Sequence, residues 1–520
     1  MAHAILFTDR SPMSWTFQDV NSVTPLYSPS PGAYKIASVL RELGLKVLVI
    51  NNCLSITLKG IKDIIDANSK DLLWVGISTT FLSNRVDKKL LSDYRGQWKS
   101  SSDRLISVEN IAKISHSKLI ITDSIWNNVE INEIASYVKQ FNAPVLIGGA
   151  WVNILKEYAN DNCFLIDGTA EEYVVKFTLD KLKNNNILPP KLVDNSEYDN
   201  IGFKKSRILY EPTDLITPET WLPIEVARGC AFNCAYCNYS RKSHFDAYKN
   251  PEVLRDELIR NYEKFGVTKF IIVDDLYNDS KEKVRVLYDK VWSKLPFKPE
   301  WSSYMRLDNI YGDRESAEII NASGAKLGSF GIETLNDRAG KNVGKGLGKA
   351  RILETLQYLN ETWKSDTLVH AFFLSGLPLE PRQSIEETID WLKDTNLIDS
   401  YNFIPLWIQP DQNKHIHPLD QISSNNTKYG INWIEKDNWI NTEGVTLKEA
   451  DALAVKAMSN QHNFVVSFGS YADLRTAGFT HSDLVHRKTD LNFKNKLINI
   501  NDTINKKVID RLNQVFDIRD

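Results

Sequence analysis

IEVARGCAFNCAYCNYS (224–240) carries three thiols, Cys230, Cys234 and Cys237, at the spacing CxxxCxxC. The segment IEVARG (224–229) reads as a β-strand, so the thiols sit on the loop that leaves it. Three thiolates on so short a loop can each take one iron of a cubane cluster. No fourth cysteine lies nearby, so one iron would keep an open position, as a catalytic zinc does when it has three protein ligands. The other reading of the motif is a zinc knuckle with His244 as fourth ligand, but such knuckles usually pair two short Cys/His clusters. With five cysteines in all, three of them within eight residues, the chain does not read as a disulfide framework.

Strand and helix signals alternate outward from this loop. Strand patterns follow at KFIIVDD (269–275), EWSSYM (300–305), LGSFGIE (327–333), LVHAFFLSG (368–376) and NFIPLWI (402–408). Helix patterns separate them near 251–264, 281–294, 314–323, 348–363 and 383–394. Six such units over 223–410 suit a partial (β/α)6 TIM-type barrel, since a full eightfold barrel typically needs ~250 residues. The strand ends carry Gly229, Asp274, Arg306, Glu333 and Gly376, on the rim where barrels place their chemistry.

Upstream, residues 1–185 alternate in the same way, with strands near 5–8, 46–52, 72–78, 143–149 and 163–168. This predicts an α/β, Rossmann-like (flavodoxin-like) domain with a parallel sheet covered on both faces. Its ligands would lie beyond the carboxyl ends of the strands. The polar stretch 82–116 reads as an insertion, 186–222 as a linker, and 411–520 as a mainly helical region.

CxxxCxxC with the aromatic Tyr236 before the last cysteine resembles the signature of the radical S-adenosylmethionine (SAM) superfamily. The resemblance implies a [4Fe–4S] cluster on Cys230, Cys234 and Cys237. Its open iron would chelate SAM and cleave it to a 5′-deoxyadenosyl radical. GIETLND (331–337) with KNVGKG (341–346) resembles the fourth-strand segment of members that carry an N-terminal cobalamin-binding domain, and AFFLSGLPLE (371–380) their fifth-strand motif. By that resemblance Tyr236, Asp274, Asp275, Arg306, Glu333 and Gly376 would border SAM. Asp274 or Asp275 would face its amino group, Glu333 its ribose or the substrate, and Gly376 its adenine.

SPGAYKIASVLRELGLKVLVIN (30–51), VGISTT (75–80), VLIGGAW (145–151) and IDGTAEE (166–172) resemble the cobalamin domain itself. Ser78, Thr79, Thr80, Gly148, Gly149 and Gly168 would then approach the cofactor's nucleotide tail. No Asp-x-His-x-x-Gly segment is present, so a lower imidazole ligand to cobalt is not expected. Cys53 and Cys163 do not make the three-cysteine amino-terminal site of methylthiotransferases, and the carboxyl-terminal region holds no cysteine for auxiliary clusters.

The implied activity is cobalamin-dependent methyl transfer to a carbon centre. Two alternatives stand beside it: cyclisation, rearrangement or oxidation without methyl transfer, and a non-catalytic cluster- or cobalamin-binding sensor. The partners implied are a small-molecule or peptide substrate and an external electron donor such as flavodoxin or ferredoxin. A formal net charge of −3 gives no sign of a nucleic-acid partner. MAHAILFTDR lacks the regions of a signal peptide, and no apolar run approaches the ~18 residues that span a bilayer, so a cytoplasmic protein is expected.

Overall fold

The computed structural model describes residues 1–8, 29–51, 53, 58–79, 128–149, 152, 160–195, 200–237, 244–274, 276–406, 408, 420–435, 438–460, 468–476 and 478–485. The 82–116 stretch, Thr80 and Asp275 lie outside them. Six parallel strands form the first sheet: β1 (Ala4–Phe7), β2 (Val47–Ile50), β3 (Trp74–Ser78), β4 (Val145–Gly148), β5 (Cys163–Gly168) and β6 (Leu192–Asn195). Their order is β2-β1-β3-β4-β5-β6. β1 and β2 are buried at every position, as strands covered on both faces must be. The helix Pro31–Arg41 opens with proline at its start, where the missing N–H costs nothing, and buries Ala33, Tyr34, Ala37 and Leu40. The order reverses between β1 and β3, which marks the carboxyl edge there as a crevice for ligands.

Residues 186–222, which read as a linker, contribute β6 to this sheet and then a helix, Asn200–Lys205. Buried Phe203, Ile208, Tyr210 and Ile216 anchor the stretch, together with polar ties. Arg41 donates to both Asp214 oxygens at 2.7 and 2.9 Å and to the carbonyls of Leu209 and Val47 at 2.7 and 2.8 Å.

The second sheet is also six-stranded and parallel, in the order β14-β13-β12-β11-β10-β7. Its strands are β7 (Leu222–Ile224), β10 (Lys269–Ile272), β11 (Glu300–Met305), β12 (Ala325–Glu333), β13 (Leu368–Ser375) and β14 (Ser400–Pro405). A separate antiparallel ribbon joins β8 (Ala227–Cys230) to β9 (His244–Tyr248). The segment 224–229 is therefore two strands, not one. The barrel strand stops at Ile224, because the buried Asp274 carboxylate beyond β10 accepts the Val226 N–H at 2.7 Å.

The carboxyl-terminal region mixes helices with a hairpin, β15 (Ile431–Glu435) and β16 (Asn438–Asn441). The helix Leu447–Ser459 lies along β14 and covers the exposed edge of the open barrel. Tyr401 in β14 donates its hydroxyl to the Ala457 carbonyl of that helix at 2.8 Å. Tyr471, Ala472 and Leu474, on the helix Phe468–Thr476, pack with Trp221, Ile271, Leu327 and Leu368 in one apolar cluster near the amino-terminal ends of the barrel strands. Among the described residues no helix is long and apolar enough to cross a membrane.

Candidate active site

β8 delivers Cys230 at its end, and the chain then turns back through Cys234 and Cys237. The Cys237 N–H donates to the Cys234 carbonyl at 3.1 Å, and the Ala235 N–H to the Val343 carbonyl at 3.1 Å, which moors the loop to the turn after β12. Cys234 is buried, Cys230 and Cys237 are half-buried, and none of the three is in a disulfide. Among the described residues no three ligating side chains converge on one point. A cubane cluster binds each thiolate through a different iron, so it does not require that convergence. Three thiols on one turn, outside any disulfide and two of them reachable from outside, are a donor set that fits such a cluster.

Arg306 follows β11 and is buried against this loop. It donates from Nη1 to Cys234 Sγ at 3.2 Å, and from Nε and Nη2 to Asp308 at 2.8 and 2.5 Å. The Phe232 ring lies 3.7 Å from the guanidinium carbon. Burial opposes the charge on Arg306, but Asp308 and Cys234 outweigh it and hold the group above its ordinary value. Arg306, expected to border SAM, thus contacts the cysteine loop directly.

Glu333 ends β12 with φ 70, a strained backbone for a residue other than glycine. Its Oε1 accepts the Tyr236 hydroxyl at 2.8 Å, and Lys345 Nζ stands 3.7 Å away. Burial, then Glu333, pushes the Tyr236 phenol well above its ordinary value. A side chain at Gly331 would collide with this group, its Cβ falling 2.5 Å from Glu333 Oε1. Asp274 supports the loop from behind, through Val226. Burial raises its carboxyl to about 6, against Lys283 and the backbone donors. Gly376 has φ +80, and the space a side chain would need is filled by Trp439 and Ala450. A side chain there would disturb the packing of the carboxyl-terminal region.

At the first sheet, Ser78 and Gly148 pair across β3 and β4, and Thr79 Oγ1 donates to the Gly148 carbonyl at 2.9 Å. Gly149 and Gly168, with φ 105 and 92, follow at the same carboxyl edge. Four charged residues join this edge to the barrel. Lys35 lies in the second turn of the helix that follows β1, and Glu171 opens the helix that follows β5. Lys35 binds Glu225, and Arg228 donates to Glu225 at 2.8 Å and to Glu171 at 3.4 Å. Phe203 lies beneath, its ring 4.4 Å from the Arg228 guanidinium carbon. Burial opposes the Glu225 charge, yet Lys35 and Arg228 hold its carboxyl down at about 2. Arg228 is two residues from Cys230, so this network ties the helices that follow β1 and β5 to the strand that carries the first thiol. Lys35, Glu225 and Arg228 are not legible as a group from sequence, although Glu225 and Arg228 flank the motif.

Residues 224–392 match the family model described as the radical SAM superfamily. Among curated proteins the chain is 25% identical to the anaerobic magnesium-protoporphyrin IX monomethyl ester cyclase of Cereibacter sphaeroides, over 35% of this chain and 31% of that protein. It is 22% identical to the bacteriochlorophyllide d C-12(1)-methyltransferase of Chlorobaculum tepidum, over 61% of this chain and 65% of that one. The match thus spans less than two thirds of either relative. Among solved structures, the cobalamin-dependent S-adenosylmethionine radical enzyme OxsB with aqua-cobalamin and S-adenosylmethionine bound shares the fold. The identity is 14% and the TM-score 0.50, over 82% of this chain and 56% of that one.

Proposed function

We propose, from the match of residues 224–392 to the radical SAM superfamily, that the chain binds a [4Fe–4S] cluster on Cys230, Cys234 and Cys237, SAM beside it, and cobalamin at the carboxyl edge of the first sheet, and that it methylates a carbon centre. When bound, these groups supply an electron for SAM cleavage to a 5′-deoxyadenosyl radical and a carrier for the methyl group. The protein's share is placement and exclusion of water. Tyr236 on the loop is bonded to Glu333, which would offer a carboxylate to a hydroxyl-bearing ligand. Ser78, Gly148, Gly149 and Gly168 leave a small-residue edge against which a large cofactor can lie.

The observation that supports this reading most is the network Lys35–Glu225–Arg228–Glu171, which joins the helices after β1 and β5 to the strand that leads into Cys230. A cyclisation without net methyl transfer is the second reading, favoured by the cyclase among the relatives. An external one-electron donor and a cytoplasmic setting belong to either. The test is anaerobic reconstitution with iron, sulfide and hydroxocobalamin, followed by desalting. A cubane's complement of iron, retained cobalamin absorption and 5′-deoxyadenosine release under dithionite are expected. Iron and deoxyadenosine without cobalamin would move the reading to the second alternative. Zinc with intact SAM would overturn both.

A further inference from the structure

We propose that Arg306 and Asp308 together set how readily the cluster accepts its electron, with Arg306 acting through the sulfur of Cys234. This rests on the cluster reading above and extends it to a positioning pair. The geometry is specific. Nε and Nη2 of Arg306 are held by Asp308, and Nη2 also reaches the Gly344 carbonyl at 3.3 Å. That fixes the fork and aims Nη1 at Cys234 Sγ, 3.2 Å away. Arg306 is only 5% exposed, and Phe232 closes the guanidinium face. Water and salt therefore screen the contact little.

Reduction of the cluster adds one electron, and so one negative charge, delivered by a one-electron donor. Hydrogen bonds to ligand sulfurs and nearby charge are among the main determinants of cluster potential. The Arg306 cation favours the reduced state, and the Asp308 anion, one step further from the sulfur, opposes it. The two residues therefore pull in opposite directions. A merely structural ion pair predicts no such opposition.

The experiment is redox titration of the reconstituted full chain, followed by electron paramagnetic resonance, with iron measured on each sample. R306Q is expected to hold about tenfold less reduced cluster than wild type at a fixed poise, a shift of about 59 mV to more negative potential for one electron. D308N is expected to shift the other way, and R306K to fall between R306Q and wild type. Potentials unchanged in R306Q and D308N, or moved in the same direction, would overturn the inference while leaving the cluster intact. Should R306Q lose its iron, R306K and D308N decide by the same criterion. A wild-type chain that takes up no iron would sink the proposed function itself, and this inference with it.

Discussion

The Tyr236 hydroxyl donates to Glu333 Oε1 at 2.8 Å and so ties the residue before Cys237 to the strained end of β12. Glu333 is buried, so a lost partner leaves a polar group unsatisfied at a cost of ~1–3 kcal/mol. Y236F is expected to lower stability by about that amount, since the nearest remaining cation to Glu333 is Lys345 at 3.7 Å. E333Q keeps an acceptor for Tyr236 and should cost less than E333L. Chemical denaturation of the three variants, with iron content alongside, checks the order. Equal losses in E333Q and E333L would show that the hydrogen bond contributes nothing.

Glu225 is the hub between the two sheets, bound by Lys35 and Arg228. Removing one partner of a largely buried charge group leaves the others uncompensated, which is more damaging than replacing the whole group. E225Q should therefore loosen the contact between the first sheet and the barrel. Hydrogen exchange is expected to rise in the helices Pro31–Arg41 and Glu171–Lys183 and to stay unchanged in Lys349–Trp363, far from the contact. If the proposed function holds, cobalamin retention falls in the same variant. Unchanged exchange at both helices would mean that Glu225 does not hold the two sheets together.

The barrel is largely legible in the sequence because its strands are continuous apolar runs and its helices have clear stripes. Glu300–Met305 and Arg382–Asp394 fall almost where the pattern puts them. The thiol motif is legible from spacing alone. What escapes depends on partners distant in the chain. The break at Val226 needs Asp274, and the tie between Lys35 and Glu225 spans 190 residues. The strand β6 escapes because it sits at a sheet edge, where Leu192 and Asp194 are exposed and no alternation results. Arg306 is legible as a rim residue, but its orientation toward Cys234 follows from Asp308 and Phe232, whose packing no local pattern encodes.

Gly376 offers a direct test of how the carboxyl-terminal region attaches. A Cβ there would stand 2.5 Å from Trp439 Cη2 and 2.8 Å from the Ala450 Cβ, and the backbone has φ +80. G376A should therefore destabilise the chain by roughly 1–3 kcal/mol from overpacking, plus roughly 1–2 kcal/mol of backbone strain. Proteolysis should also become faster within 438–459. Adding W439L to G376A is expected to recover the packing part and leave the strain. A double-mutant cycle reads the difference, and strict additivity would show that Trp439 is not the residue displaced.

Glu380 follows the fifth barrel strand and is only 1% exposed. Its Oε1 accepts the Thr334 hydroxyl, while Oε2 is buried without a partner among the described residues. Burial raises the carboxyl to about 8, with the Thr334 and Leu377 contacts pulling weakly the other way. The sign follows from proton counting. Between the ordinary carboxylate range and about 8 the unfolded chain releases this proton and the folded chain keeps it. Stability from this group is therefore full below the ordinary value and falls as pH rises toward 8, by about 1.4 kcal/mol for each pH unit in that window. E380Q keeps the shape and removes the proton, so its stability should stay flat over that window where wild type declines. Thermal unfolding of both proteins from about pH 5 to about pH 9 measures this. Parallel profiles would mean that Glu380 is already ionised in the folded chain, its charge met by a water at Oε2.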